Sequence, residues 1–302
     1  MNYLTYHNHG DLGFADAINR IDLLTRLANK FGLTFAMPDL ATGIHNNNYL
    51  VEFGLHQYRF HHNSLSVIQT IEINLDVFVN EFDFKSYDKC LFVIKNFDYG
   101  LAGKIARTVT DFPSFPFKQF FKSEVNQDAP LDVVIHLRMG DRYIYSVDGL
   151  FVCPWKYVYS GNDQKINNEF QTQWNFKKLK EIINHLENNG MKYKIFSDGV
   201  GSAIKTLKTY HGWSTVDSIE IDKIVNSILK FENSFLNEFK TYNLNYANSK
   251  ISDLANAIAN SKKIIITQGG LSSSLNKFYN NDMASVQNFS ALHDLISNKA
   301  CS

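Results

Sequence analysis

Residues 133–141 read Val-Val-Ile-His-Leu-Arg-Met-Gly-Asp, an apolar run that passes directly into polar and charged side chains. A short apolar run rich in β-branched residues predicts a buried strand. Such a strand delivers His136, Arg138 and Asp141 at its carboxyl end, which is the end where parallel sheets bind ligands. Because side chains alternate along an extended segment, His136 and Arg138 are expected to point to the same side.

The chemistry expected at this strand end depends on Arg138. A guanidinium at such a place suits a phosphate, because its planar fork donates charge-assisted hydrogen bonds to two oxygens at once. The alternative is a structural salt bridge from Arg138 to Asp141 or Asp132. The residues by themselves leave both interpretations open.

Two further segments place polar residues directly after a predicted strand. Residues 264–274 read Ile-Ile-Ile-Thr-Gln-Gly-Gly-Leu-Ser-Ser-Ser. A glycine such as Gly269 lets the backbone approach a ligand closely, and a helix beginning at Ser272 and Ser273 presents N–H groups to an anion. An ordinary strand-to-helix turn with a serine cap is the alternative. Asp198 follows the predicted strand 193–196. Its carboxylate can accept hydrogen bonds from a ribose or base, or it can cap the next helix.

Predicted strands and helices alternate along most of the chain. The predicted strands are 3–6, 33–37, 91–94, 132–136, 193–196 and 263–267. The predicted helices are 16–31, 101–108, 176–186, 202–210 and 272–279, together with one that Ser252 caps. Residues 41–90 show weak periodicity and are predicted to form an irregular insertion. Alternation of this kind predicts an α/β fold of parallel sheets flanked by helices. The polar stretch near residue 128 divides it into domains 1–128 and 129–302.

Length, composition and charge exclude several classes of protein. The chain has 302 residues, of which 44% are hydrophobic, enough for two packed domains and too many for global disorder. Equal numbers of basic and acidic residues argue against a nucleic-acid partner. Three dispersed cysteines, with no leader and no long apolar run, predict a cytoplasmic protein without a transmembrane segment. A peripheral membrane contact and the oligomeric state stay open.

The segment His136-Leu137-Arg138-Met139-Gly140-Asp141 resembles the HxRxxD signature of the fucosyltransferase superfamily, whose architecture is GT-B. That superfamily includes bacterial α-1,2- and α-1,6-fucosyltransferases and protein O-fucosyltransferases. Three further blocks are similar and fall in the family's order. They are the glycine-loop opening at 13–16 with its helix and strand, the strand end at 196–198, and the late glycine and serine block at 264–274. The resemblance implies two Rossmann-like domains facing one cleft, the first on the acceptor side and the second binding the nucleotide-sugar.

The resemblance also implies roles for individual residues. Arg138 would stabilise the leaving β-phosphate of a GDP-sugar, and His136 would contact the nucleotide. The remaining implied nucleotide-binding residues are Asp141, Asp198, Asp253, Gly269, Ser272 and Ser273. Of these, the serines would meet the phosphates, and Asp198 or Asp253 would meet the ribose or guanine.

The implied activity is an inverting, metal-independent transfer of fucose or a related sugar from a GDP-sugar to a glycan hydroxyl. The diphosphate gains charge as it leaves, and Arg138 would act where that charge develops, so no metal or other cofactor is expected. A carboxylate that accepts the acceptor's proton would be Asp11 or Asp148, with Asp16 third. The alternatives are the same fold with another donor, such as a GDP-heptose, and a non-catalytic nucleotide- or glycan-binding protein.

Histidines and aromatic residues close to these motifs invite further predictions. His56, His61 and His62 lack companion ligands at characteristic spacing, so surface or acceptor-loop histidines are favoured over a metal site. Tyr145, close after the arginine motif, is expected to line a sugar site together with Tyr143 and Trp155.

Overall fold

The structure is a computed structural model of the whole chain, and part of the chain is described here. The described residues are 1–7, 14–38, 53–80, 83–120, 130–137, 139–140, 145–147, 150–154, 176–197, 199–210, 218–239, 251–266, 271–279 and 285–286. The chain forms two compact units. The N-terminal unit comprises Met1–Lys122 and Ser273–Asn280, and the C-terminal unit comprises Ser123–Ser272 and Asn281–Ser302. The boundary predicted at residue 128 lies outside the described residues.

The N-terminal unit is built on a parallel sheet of four strands. Its elements are β1 (Tyr3–Tyr6), α1 (Phe14–Lys30), β2 (Thr34–Phe35), β3 (Gln69–Ile73), α2 (Leu75–Asn80), β4 (Cys90–Ile94) and α3 (Tyr99–Thr108). The strand order is β2-β1-β4-β3, and every neighbouring pair is parallel. All five residues of β4 are buried, as expected of an interior strand covered on both faces.

Helix α1, between β1 and β2, packs a largely apolar face into the core. Ile18, Ile21 and Leu24 are fully buried, and they recur at helical spacing. The helix ends where Gly32 adopts φ +68°, and the Leu33 N–H then bonds back to the Ala28 carbonyl oxygen at 2.8 Å. This is the glycine-terminated helix end that the sequence predicts.

The predicted irregular insertion at 41–90 is wrong for part of its length. Residues 69–73 form β3, which pairs with β4 along its whole length, and residues 75–80 form α2. β3 is an edge strand, and Ile73 is its one buried residue. An edge strand buries little, so its sequence carries only a faint apolar alternation. Residues 41–52 of the predicted insertion lie outside the described part of the chain.

The C-terminal unit is built on a second parallel sheet. Its elements are β5 (Leu131–Leu137), β6 (Tyr145–Val147), β7 (Leu150–Val152), α4 (Phe176–Asn188), β8 (Tyr193–Ser197), α5 (Gly201–Tyr210), α6 (Ser218–Glu238), α7 (Ile251–Ala259), β9 (Ser261–Ile266) and β10 (Ser285–Val286). The short helix α8 (Leu271–Leu275) begins in this unit and passes at Ser273 into the N-terminal unit. The strand order is β10-β9-β5-β8, and β6 and β7 form a separate antiparallel hairpin. The predicted α/β fold with two parallel-sheet units is confirmed. Its two domains facing one cleft stay a prediction.

Helix α6 is an element that the sequence analysis did not predict. It spans 21 residues and packs Ile221, Ile224 and Ile228 into the same core as the buried face of α4. These isoleucines follow the i, i+3, i+7 spacing of an amphipathic helix, so the signal was present. Lys180 of α4 and Glu238 of α6 form an exposed ion pair at 2.6 Å.

Two helix starts differ from their predictions. Helix α7 begins at Ile251, so Ser252 lies inside the helix and does not cap it. The helix predicted over 272–279 is the five-residue α8, followed by a tight 3₁₀ turn at Asn276–Phe278. That turn carries the chain into the N-terminal unit, a return that no local sequence pattern announces.

No helix in the described part of the chain is both long enough and apolar enough to cross a membrane. Cys90 and Cys153 are both buried thiols.

Candidate functional site

Three neighbouring strands of the C-terminal sheet end side by side. β5 lies between β8 and β9, and its last residues pair with theirs: Leu137 with Ser197, and His136 with Phe196 and Ile266. The chain then continues from each strand into one of the segments that the sequence analysis singled out. Because parallel strands share their carboxyl edge, these three segments begin at one edge of one sheet. We call this the nucleotide edge, after the role that the sequence analysis predicts for it.

His136 is buried on the middle strand of the nucleotide edge. It is 3% exposed, one residue before the strand ends. Val133, Ile135 and Leu137 join the core that packs against α4 and α6, so the alternation of the strand places His136 on the opposite face with Val134. The prediction that a buried strand delivers His136 at its carboxyl end is confirmed.

Residues on both sides of position 138 are fixed by the core. Leu137 and Met139 are 0% and 1% exposed. The Tyr145 hydroxyl donates a short hydrogen bond to the Met139 carbonyl oxygen, which ties the hairpin to the end of β5. The segment that carries the arginine motif is therefore held at both ends.

The same hydrogen bond corrects the expectation that Tyr145 lines a sugar site. Tyr145 is 1% exposed, and its ring packs edge-on against Phe231 of α6 at 5.6 Å between ring centroids. Its aromatic ring belongs to the core, and its hydroxyl has a backbone partner. Tyr143 and Trp155 lie outside the described residues.

The turn after β8 is stabilised by the protein's own groups. Gly199 has φ +61°, and its N–H donates to the Ser197 Oγ at 3.0 Å. The next N–H, of Val200, donates to the Glu232 carboxylate of α6 at 3.4 Å. A carboxylate thus faces the first turn of α5, where the free N–H groups and the helix dipole favour negative charge.

Asp253 lies in the first turn of α7 and is exposed. α7 packs against β9 and β5, and β9 starts only two residues after α7 ends. The helix must therefore run antiparallel to the strand it covers, with its N-terminus toward the nucleotide edge. Nine helical residues span about 13 Å, against about 20 Å for the six residues of β9. Asp253 is in the turn of α7 at that end, and its role in binding stays a prediction.

Ser272 and Ser273 lie within α8, and their side chains are outside the described set. The following serine, Ser274, is fully buried and donates to the Ala15 carbonyl oxygen at 3.4 Å. Six of the predicted site residues lie outside the described residues: Asp11, Arg138, Asp141, Asp148, Asp198 and Gly269. Their assignments stay predictions.

The histidines outside the motifs make local contacts. The His62 ring nitrogen Nδ1 lies 3.2 Å from the Met37 carbonyl oxygen, and its ring lies 5.3 Å from that of His61. His7 Nε2 is 3.1 Å from Glu72 Oε1, and this hydrogen bond, more than nearby Lys95, holds the pKa of Glu72 below its ordinary value. Within the described ranges, no three potential ligands are grouped as a metal ion would require.

The sequence analysis missed one polar cluster altogether, in the N-terminal unit. Arg20 lies on the apolar face of α1 and is 8% exposed, beside the rings of Phe97 and Tyr99. The signal was an arginine among the positions of a helix face that is otherwise largely apolar.

By its strands and connections the chain is an α/β protein with two parallel sheets. No known protein-family model matches the sequence, and no curated protein does. Among solved structures, it is similar to E. coli heptosyltransferase WaaC with ADP-2-deoxy-2-fluoro heptose, with 9% identity, a TM-score of 0.39, and coverage of 99% of this chain and 100% of that one. The same enzyme with ADP gives 10% identity, a TM-score of 0.40, and coverage of 99% of each chain. Similarity of this degree does not identify a family, an activity or a ligand.

Proposed function

We propose that this chain is an inverting glycosyltransferase that moves fucose or a related sugar from a GDP-sugar to a glycan hydroxyl. The observation that carries the proposal is the nucleotide edge. The strands leading to the arginine motif, to Asp198 and to the glycine–serine segment are neighbours whose ends are paired. This is the convergence that a diphosphate-binding site on a parallel sheet requires.

In the proposed reaction, Arg138 acts on the leaving group. Breaking the bond from the sugar to the diphosphate leaves extra negative charge on the β-phosphate oxygens. A guanidinium already held in place stabilises that charge more in the transition state than in the ground state, and so lowers the barrier. The fixed residues on both sides, Leu137 and Met139, supply the rigidity that preorganisation needs. On this proposal, neither a metal ion nor another cofactor takes part.

The other predicted residues bind or deprotonate. His136 contacts the nucleotide from β5, Gly269, Ser272 and Ser273 approach its phosphates, and Asp198 or Asp253 binds the ribose or guanine. Asp141, the last residue of the arginine motif, belongs to the nucleotide-binding residues as well. Asp11 or Asp148 accepts the proton of the attacking hydroxyl, which then forms its bond to the anomeric carbon on the face opposite the departing GDP.

The test of this function is a comparison of Arg138→Ala with Arg107→Ala, a matched change of an exposed arginine on α3. We expect wild type to bind GDP and to release it from a GDP-sugar in the presence of an acceptor. Arg138→Ala should lower the transfer rate by about 10²–10³, the effect of removing one preorganised charge-stabilising group. Arg107→Ala should retain the wild-type rate. No binding at millimolar GDP, or an unchanged rate in Arg138→Ala, would refute the proposal.

A donor panel under single-turnover conditions identifies the sugar and the nucleotide. GDP-fucose should be consumed fastest if the proposal is right in detail. Faster use of a GDP-linked or ADP-linked heptose would keep the reaction class and change the donor. Binding of GDP with no turnover of any donor would leave a nucleotide-binding protein without transferase activity.

A further inference from the structure

Arg20 is a buried cation in the N-terminal unit, enclosed by aromatic rings. Its guanidinium carbon lies 4.5 Å from the ring centroid of Phe97, 5.3 Å from that of Tyr99 and 6.0 Å from that of Tyr6. Cation–π contacts of this kind compensate part of the lost hydration of a guanidinium. The aromatic rings offer no hydrogen-bond acceptor to the N–H groups, which point outward in the plane of the guanidinium.

The donors of Arg20 are poorly matched by acceptors. Nη2 donates to the Tyr99 hydroxyl at 2.9 Å, whereas the buried Nε has no hydrogen-bond partner among the residues that the structure describes. Across the described ranges, no carboxylate lies within ion-pair distance of Arg20. Arg26, on the same helix, shows the contrast, because it bonds to two backbone carbonyl oxygens and pairs with Asp22 at 3.5 Å.

A second unmatched donor stands beside the first. The Tyr6 hydroxyl is buried, with no hydrogen-bond partner in the described part of the chain, and its residue is 2% exposed. Burial raises the pKa of Tyr6 above its ordinary value, and the opposing effect of Arg20 is smaller. The phenol therefore keeps its proton at neutral pH and is a donor, like the arginine beside it.

The position of the cluster in the fold is one where ligands collect. Tyr6 ends β1 and is paired with Ile94, the last residue of the adjacent β4. Phe97 and Tyr99 follow β4 directly. The cluster thus lies at the carboxyl edge of the parallel N-terminal sheet. Tyr99, whose hydroxyl accepts from Arg20, is 57% exposed.

We propose that Arg20 and Tyr6 form a binding site for an oxyanion, the carboxylate or phosphoryl group of a small ligand. Two buried donors without acceptors, one of them positively charged, match a group that is negatively charged and offers acceptors only. The site belongs to the N-terminal unit and is separate in composition from the nucleotide edge, so it stands whether or not the proposed transferase activity is right.

The test reads Arg20 directly, by the NMR signal of its Nε–H group in ¹⁵N-labelled full-length protein. The signal is assigned by its loss in Arg20→Lys, which keeps the positive charge and removes the Nε donor. Titration with inorganic phosphate or with acetate should shift this signal to saturation. Tighter binding of phosphate would indicate a phosphoryl ligand, and tighter binding of acetate a carboxylate.

Matched variants separate binding from a structural role. Tyr6→Phe should weaken the binding seen at Arg20 by about tenfold, the effect of one hydrogen bond to a charged group. Tyr3→Phe, on the same strand, and Arg107→Lys, on α3, should leave it unchanged. An Arg20 signal that neither anion moves, or equal affinity in wild type and Tyr6→Phe, would overturn the proposal. The wild-type titration decides the question even if a variant fails to fold.

Discussion

The Tyr145 hydroxyl ties the hairpin of β6 and β7 to the end of β5. Its hydrogen bond to the Met139 carbonyl oxygen joins the two ends of the stretch that follows β5, and both residues are buried. A buried carbonyl that loses its donor finds no water in exchange, so the cost exceeds that of an exposed hydrogen bond.

Tyr145→Phe should therefore lower the free energy of unfolding by about 1–2 kcal/mol, because it leaves that carbonyl without a donor. The measurement is urea denaturation followed by circular dichroism. Tyr193→Phe is the control, because its hydroxyl donates to Glu187 at an exposed site, and its effect should stay within about 0.5 kcal/mol. Equal losses of unfolding free energy in the two variants would show that the Tyr145 hydroxyl contributes no more stability than an exposed hydroxyl.

At the scale of single residues, the sequence predicts where a side chain lies in its strand or helix better than it predicts which residues that side chain contacts. His136 follows from the strand pattern alone, because alternation and strand length fix where the side chain stands. Tyr145 was assigned to a sugar site because it is near Arg138 in sequence, whereas its partner Phe231 lies more than eighty residues away. Arg20 was missed because its ring neighbours Phe97 and Tyr99 follow β4, more than seventy residues away in sequence.

Gly32 and Gly103 are a matched pair of glycines, one at the end of a helix and one inside a helix. Gly32 has φ +68° at the end of α1, where a side chain would be strained, and a Cβ there would meet no atom within 4 Å. Gly103 lies inside α3 with ordinary helical backbone and equally open space. The two positions therefore differ in backbone conformation and not in packing.

Gly32→Ala should destabilise the protein by about 1 kcal/mol, because an L-residue pays for the left-handed backbone. Gly103→Ala should stabilise it by about 0.5–1 kcal/mol, because alanine loses less entropy in a helix. Melting temperatures of the two variants should thus move in opposite directions. A shift of the same sign in both would contradict the assignment of Gly32 as the helix terminus.

At the scale of elements, strongly amphipathic segments were predictable and weakly buried ones were not. Helix α1 and strand β4 were expected at nearly their observed bounds, since each buries a full face. β3 escaped because an edge strand keeps most of its side chains in water. The start of α7 was predicted two residues too late. Ser252 is a good N-cap residue in isolation, but the helix already begins at Ile251.

At the scale of the whole molecule, an ion pair joins two helices that are far apart in the sequence, and local patterns do not predict it. Lys277, on the returning segment 273–280, lies 2.8 Å from Asp22 of α1, and the Asp22 side chain is only 14% exposed. Removing the lysine leaves a nearly buried carboxylate with Arg26 as its remaining cation, at 3.5 Å. Partly buried charges lose more from such a change than exposed ones.

Lys277→Met should lower the stability of the protein by about 1–2 kcal/mol. Lys180→Met removes an ion pair of similar length, 2.6 Å, whose partners are both nearly half exposed, and should change stability by less than about 0.5 kcal/mol. Thermal unfolding of both variants at low salt checks the contrast. Indistinguishable melting temperatures would mean that the returning segment contributes little to the N-terminal unit.

At this scale the sequence predicted the class of fold and not the path of the chain. Alternating strands and helices are a local property, and they indicated two parallel-sheet units correctly. The return at Ser273 depends on contacts more than 250 residues apart in sequence, such as that of Ser274 with Ala15. Of the candidate site, the strand ends were predictable for the same local reason.

The returning segment also has a consequence for the order in which the protein is made. Phe278 lies 4.9 Å from Phe53 and 5.0 Å from Phe117 between ring centroids, so the N-terminal unit lacks part of its aromatic core until residue 278 exists. A ribosome adding 5–20 residues per second needs roughly 10–30 s between the end of the first stretch and this residue. During that interval Phe14, Phe53 and Phe117 lack their ring contacts with Phe278. The half that is translated first is thus completed late, and a nascent chain halted before residue 273 would present an apolar surface to chaperones.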